Sequence, residues 1–151
     1  MPLRRSAVFG MQNNLLVLDA SIAIKWFHGE PDSEAAERIR DRIVNGELRI
    51  MVPPLFFYEV ANALTCKAGS EVDAIMAAHK VLTSLPFQVV EVIYSLLTDA
   101  IHIAHRHHLS VYDAIYVALA ISTGGTLLTA DERLARLIGG PTVQLLKEYE
   151  K

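Results

Sequence analysis

The chain has 151 residues, a formal net charge of −3 and one cysteine. That length suits a single domain around one core, the charge excludes the broad basic field of an electrostatic nucleic-acid binder, and the lone Cys66 excludes an internal disulfide and fits a reducing cytoplasm. With glycine counted and tyrosine left out, about 54% of the residues are apolar against the usual ~45–50%, which points to a homodimer or another partner chain, while no clean run of ~20 apolar residues predicts a membrane span.

Residues 1–14 carry little pattern and read as an N-terminal extension, disordered or ahead of the true start; residues 15–151 read as one domain. Leu15 to Leu18 is a short, wholly apolar run, as a strand covered on both faces should be. Ser21 to Phe27 predicts a short helix closed by Gly29, and Pro31-Asp32-Ser33 start another with Ala36, Ile39 and Ile43 on its apolar face, stopped at Gly46. Leu48 to Val52 is strand-like, and Pro53-Pro54 open a helix with Leu55, Val60, Ala63 and Leu64 towards the core. Ser70-Glu71-Val72-Asp73 has the form of a capping box and begins a helix towards Leu85. Val89 to Ile93 predicts a strand, and the next helix carries Leu97, Ala100, Ile101 and Ala104. Ser110 then caps a long helix to about Ile121, with Gly124-Gly125 behind it. Thr126 to Leu128 is a strand, Thr129 to Ile138 a short helix and Val143 to Leu146 a last strand. Strands and helices in this order mean α/β with a mainly parallel sheet.

The chemistry gathers at the ends of these elements. Asp19 directly follows the first apolar strand, and Asp131 follows another in Leu-Leu-Thr-Ala-Asp-Glu. Glu59 lies near the start of the Pro54 helix and Asp113 at the start of the Ser110 helix. Ligands of parallel sheets sit outside the carboxyl ends of the strands, and a helix that follows a strand begins at that same edge, so all four carboxylates can face one crevice. Each has a structural alternative. Asp19 suits the N-cap of the Ser21 helix, Glu59 among aromatic neighbours suits a buried ion pair with an arginine, Ser110 to Asp113 is itself a capping box, and Asp131 suits a first-turn acid. Converging acids need a cation, because two unit charges ~5 Å apart at an effective dielectric of ~20 repel by roughly 3 kcal/mol. A set of oxygens alone selects Mg²⁺ or Mn²⁺ over zinc, and Ser21 and Thr129 stand where hydroxyls can support the carboxylates.

At these residues the sequence resembles the PIN-domain ribonucleases, in particular the VapC-type toxins of toxin–antitoxin pairs. The matching stretches are Val17-Leu18-Asp19-Ala20-Ser21, Pro54 to Leu64, Leu109 to Ala118 and Leu127 to Leu134, in the family's order. The resemblance implies a three-layer α/β/α sandwich with Asp19, Glu59 and Asp113 as the core acidic triad. Asp131 would be a fourth, more variable acid, with Ser21 and Thr129 as supporting hydroxyls. It further implies Mg²⁺ or Mn²⁺ dependence, RNA cleavage by metal-activated water, and a homodimer blocked by an antitoxin. The family usually begins a few residues before its first aspartate, and here eighteen precede it. With four acids balanced by a cation the rest of the surface is no longer net acidic, and Lys25 and Arg133 are candidates to meet RNA phosphates, with ordinary surface charge as the alternative.

His102, His105, His107 and His108 form a cluster that suits a solvated helix end better than a second metal site, and Tyr112 and Tyr116 are spaced like core or interface residues. Two other functions compete. A phosphatase-like α/β enzyme of the haloacid-dehalogenase kind needs a second acid two residues after Asp19, where Ser21 stands. A catalytically silent PIN-like scaffold for RNA or protein would have no use for a complete set of acids.

Overall fold

The structure, a computed structural model, describes residues 15–149; the extension expected over residues 1–14 lies outside them. Thirteen elements follow in chain order: β1 (Leu15–Leu18), α1 (Ala20–His28), α2 (Ser33–Val44), β2 (Arg49–Val52), α3 (Leu55–Cys66), α4 (Val72–Ser84), β3 (Gln88–Val89), α5 (Tyr94–His107), α6 (Val111–Thr123), β4 (Thr126–Thr129), α7 (Glu132–Ile138), β5 (Val143–Leu145) and α8 (Leu146–Tyr149).

The five strands form one sheet in the order β3-β2-β1-β4-β5, and every pairing is parallel. Each step between parallel neighbours needs a right-handed crossover. The chain moves outward from β1 through β2 to β3, then returns past β1 to β4 and β5, so α1–α4 cover one face and α5–α7 the other. That is the expected α/β sandwich. β1 is the strand at which the order reverses, and its end lies level with that of β4, Leu18 pairing with Leu128. The Asp19 N–H extends the ladder by donating to the Leu128 carbonyl at 3.0 Å. A crevice at the carboxyl ends of β1 and β4 is what such a switch point produces.

The apolar runs form the core as their pattern predicts. Leu16, Val17, Leu18, Leu127 and Leu128 are all buried, as are Ala36, Ile39 and Ile43 along one stripe of α2. Trp26 ties α1 to α2, its indole N–H donating 2.7 Å to the Ala36 carbonyl. Gly29 and Gly124 close α1 and α6 in the left-handed region at φ 57° and 67°, where a Cβ is strained.

Four expectations change. β3 is two residues long rather than running from Val89 to Ile93. Its partner β2 leads into Pro53-Pro54, which have no amide hydrogen to continue a ladder, and the Val90 N–H donates the last rung to the Val52 carbonyl. The capping box at Ser70 does not form: Glu71 is the N-cap of α4 and no side chain caps the helix. The helix after β4 starts at Glu132, not Thr129, because β4 continues through Thr129 and Asp131 is the N-cap of α7. At the other end Leu146 opens a single helical turn instead of closing β5.

Candidate active site

Four elements bring an acid to the carboxyl edge of the sheet: Asp19 before α1, Glu59 in the second turn of α3, Asp113 in the first turn of α6 and Asp131 before α7. Their charges act on one another. Asp19 feels Asp113 and Asp131, Glu59 feels Asp19 and Asp113, and Asp113 feels Asp131. They share one electrostatic neighbourhood. Among the described residues, no three His, Cys, Asp or Glu side chains stand close enough to hold an ion without some movement. Closing the carboxylates further sets like charge on like charge, which a retained proton or a bound cation balances.

Asp19 is the most deeply placed acid, 6% exposed. A buried carboxylate is costly without donors, and two hydroxyls supply them. Ser21 Oγ donates to Asp19 Oδ2 at 2.7 Å and Thr129 Oγ1 donates to the same oxygen at 2.6 Å. The direction of both protons is set from behind. The Ala130 N–H donates to Ser21 Oγ and the Asp131 N–H to Thr129 Oγ1, each at 3.0 Å. The turn after β4 thus orders the hydroxyls, and the hydroxyls order Asp19. Its backbone sits at the N-cap of α1, but its side chain makes no capping bond.

The same division of labour recurs at two other acids. Tyr116 Oη donates to Glu59 Oε1 at 3.1 Å, so the partner of Glu59 is a tyrosine and not the arginine of an ion pair. Asp131 Oδ1 accepts the N–H groups of Arg133 and Leu134, at 2.8 and 3.1 Å. Asp131 is thus not the first-turn acid expected from the sequence but the N-cap of α7, and it caps with one oxygen. Asp19 Oδ1, Glu59 Oε2 and Asp131 Oδ2 take no hydrogen bond among the described residues. For Asp113, the Ser110 half of the expected capping box is present, the Asp113 N–H donating 3.0 Å to Ser110 Oγ.

Burial raises the Asp19 carboxyl above the usual range, opposed by the Thr129 and Ser21 hydrogen bonds and assisted by the charges of Asp113 and Asp131. Burial and the Asp19 charge raise Glu59 from 4.5 to about 7 against the Tyr116 hydrogen bond. Asp113 is raised chiefly by burial. Burial, with the Asp19 and Glu59 charges, also pushes the Tyr116 phenol up. Asp19, Glu59 and Asp113, lifted together chiefly by burial, gain from a divalent cation. Among the described residues Asp19, Glu59 and Asp131 each keep an oxygen free of hydrogen bonds, and every donor of the set is a hard oxygen. The residues therefore fit Mg²⁺ or Mn²⁺.

Of the candidate phosphate-binding cations, Arg133 stands beside the acids. Its charge lowers the Asp113 carboxyl, and its Nη2 donates 2.9 Å to the carbonyl of His108. His108 closes α5 at φ 55°. Lys25 is not drawn into this group: its ammonium donates 2.9 Å to the Pro31 carbonyl and lies 3.5 Å from Glu30 Oε2. His102 and His107 line an open groove between α5 and α6 with Asp99 and Arg106. Sequence spacing missed Tyr116, because its partner lies 57 positions away on another helix. The only local signal was its place one turn after Asp113.

Comparison with known proteins identifies the family and the fold. The PIN domain family model matches residues 16–139. Ribonuclease VapC3 of Pyrobaculum aerophilum is 38% identical over 124 residues, 80% of this chain and 92% of that protein. The crystal structure of PAE2754, also from Pyrobaculum aerophilum, is 26% identical with a TM-score of 0.66, over 93% of this chain and 95% of the other. VapC20 of Mycobacterium tuberculosis, a sarcin-ricin loop cleaving toxin, has a TM-score of 0.66 over 82% of this chain and 95% of its own; at 19% identity that likeness speaks to the fold alone.

Proposed function

The chain belongs to the PIN domain family, and from that premise we propose that it is a Mg²⁺- or Mn²⁺-dependent endoribonuclease, the toxin of a VapBC-type toxin–antitoxin pair. The observation that carries the proposal is the treatment of the acids. Asp19, Glu59 and Asp131 are each fixed through one oxygen and, among the described residues, keep the other free of hydrogen bonds. In each, the fold occupies one oxygen and leaves the second available to a ligand.

In this reading Asp19, Glu59, Asp113 and Asp131 hold the cation. When bound, the metal lowers the pKa of a water and neutralises charge on the phosphate and the leaving oxygen. The chain's own residues fix the geometry. Ser21 and Thr129 hold Asp19 in one rotamer, the amides of Arg133 and Leu134 hold Asp131, and Ser110 sets the turn that presents Asp113. Arg133, braced on the His108 carbonyl, stands where a cation can meet a phosphate of single-stranded or looped RNA. No histidine is assigned to proton transfer.

An antitoxin partner is supported by the 38% identity to Ribonuclease VapC3 together with the resemblance to VapC-type toxins; a toxin–antitoxin complex from Klebsiella pneumoniae, 16% identical with a TM-score of 0.66 over 87% of this chain and 97% of that one, shares the fold. A homodimer is supported by large apolar side chains left in solvent, among them Val44, Val72, Met76 and Ile93. Light scattering across a hundredfold range of concentration is expected to report a dimer; a constant monomer mass contradicts that part. Among the described residues no helix is long and apolar enough to cross a membrane.

The decisive assay is cleavage of RNA with Mg²⁺ or Mn²⁺ against EDTA. Metal-dependent turnover supports the enzyme, and RNA binding without turnover in any of these conditions supports the silent scaffold.

A further inference from the structure

We infer that Tyr116 is a positioning residue for the Glu59 carboxylate, its hydroxyl proton occupying Oε1 so that Oε2 is the oxygen left to face the cation. The inference rests on the ribonuclease reading, since it needs Glu59 to be a metal ligand. It reaches a residue to which that reading gives no role.

Tyr116 is fully buried, at 0% exposure, and lies one turn after Asp113 on α6. A buried tyrosine needs a partner for its hydroxyl. The hydroxyl of Tyr116 has Glu59, and its proton goes to Glu59 Oε1 at 3.1 Å. That hydroxyl connects the side chain of Glu59 on α3 to the helix that carries Asp113. Glu59 needs such a brace more than the aspartates do, because its longer side chain has one more rotor and stands in the second turn of α3, away from any capping amide. The competing account is that Glu59 merely satisfies a core tyrosine. The two accounts part on metal affinity.

The test uses the full chain and needs no RNA. Mn²⁺ binding is measured by calorimetry at neutral pH for the parent, Tyr116→Phe, Glu59→Gln and the double variant, with Tyr94→Phe, at an exposed tyrosine, as the control. Tyr116→Phe keeps the ring and its packing. Its Mn²⁺ affinity is expected to fall by about tenfold, as when a support behind a ligand is lost, while Tyr94→Phe binds as the parent does. The double variant is expected to bind no more weakly than Glu59→Gln, because the hydroxyl acts only through that carboxylate. In RNA cleavage at limiting Mn²⁺, kcat falls and KM for RNA holds. A folded Tyr116→Phe protein that binds Mn²⁺ like the parent overturns the inference, as does a loss that adds fully to that of Glu59→Gln. Should Tyr116→Phe not fold, 3-fluorotyrosine placed at position 116 alone gives a second reading. Its ¹⁹F resonance is expected to move on addition of Mg²⁺ in the parent and to stay fixed in Glu59→Gln, and no movement in the parent overturns the inference. A parent that binds no Mn²⁺ fails before any substitution is made, and takes the ribonuclease reading down with the inference.

Discussion

The carboxyl edge of the sheet and helix α4 break the ordinary rules of burial in opposite directions. At the edge, acids are taken out of water and given partners: Asp19 is nearly buried on two hydroxyls, and Glu59 is held by a buried tyrosine. On α4, apolar side chains are left in water: Val72, Met76 and Val81 are exposed, and Leu82 is the helix's one buried residue. The first departure is costly to the fold and is repaired by bonds formed within the chain. The second is nearly free, because a large apolar group on a surface loses little until something covers it. Sites for chemistry and surfaces for contact can therefore be told apart by whether the chain itself repairs the departure.

Substitutions sharpen the contrast. Asp19→Asn removes ligand charge while keeping shape and acceptor, and RNA cleavage is expected to drop by about two to three orders of magnitude, the scale of losing a group that acts on the transition state. Circular dichroism should show the fold intact. Leu82→Ala, at the only buried position of α4, is expected to cost about 2–5 kcal/mol in denaturant unfolding, with the site unaltered at saturating metal. Thr129→Val strips one donor from Asp19 Oδ2 and leaves the Asp131 amide without its acceptor, for a loss of about 1–3 kcal/mol and a fall of about tenfold to a hundredfold in activity. Met76→Lys on the exposed side of α4 is the smallest: at concentrations low enough to keep the subunit monomeric, unfolding should stay within about 0.5 kcal/mol of the parent.

The two regions also differ in how they meet pH. Glu59 titrates at about 7 in the fold against 4.5 ordinarily, so between those values the folded chain holds the proton that the unfolded chain has released. The stability of the metal-free protein is then highest below that window and falls as pH rises through it. Asp19 and Asp113, also raised, push in the same direction. Glu59→Gln is expected to flatten the slope of the thermal midpoint between pH 4.5 and 7, and saturating Mn²⁺ to reverse it, because the ionised acids are the form that binds. A Glu59→Gln slope as steep as the parent's removes Glu59 as a source.

Much of this was legible in the sequence, for reasons that particular residues make clear. Asp19 and Asp131 stand out because a buried parallel strand is wholly apolar, so the first acid after it marks the edge of the sheet. Asp113 follows from the Ser110 capping box, and Ser21 and Thr129 from standing two residues to either side of an acid. What stayed hidden was decided by partners distant in sequence. Tyr116 reaches Glu59 across 57 positions, and no spacing rule connects α6 to α3. β3 ends early because its neighbour runs into two prolines, not because of its own residues. Lys25 has the right charge near the right acid, yet Pro31 and Glu30 claim its ammonium.

The central claim, that these acids hold one divalent cation at a cost to the metal-free fold, is tested most directly by melting the parent and Asp19→Asn with and without Mn²⁺. Without metal, Asp19→Asn is expected to melt above the parent, since a neutral amide escapes the burial and repulsion that raise the Asp19 carboxyl. With Mn²⁺ the order is expected to reverse, the parent gaining stability by mass action and the variant little. If Mn²⁺ shifts both proteins equally, or neither, the acids at this edge are not a metal site and the account is contradicted.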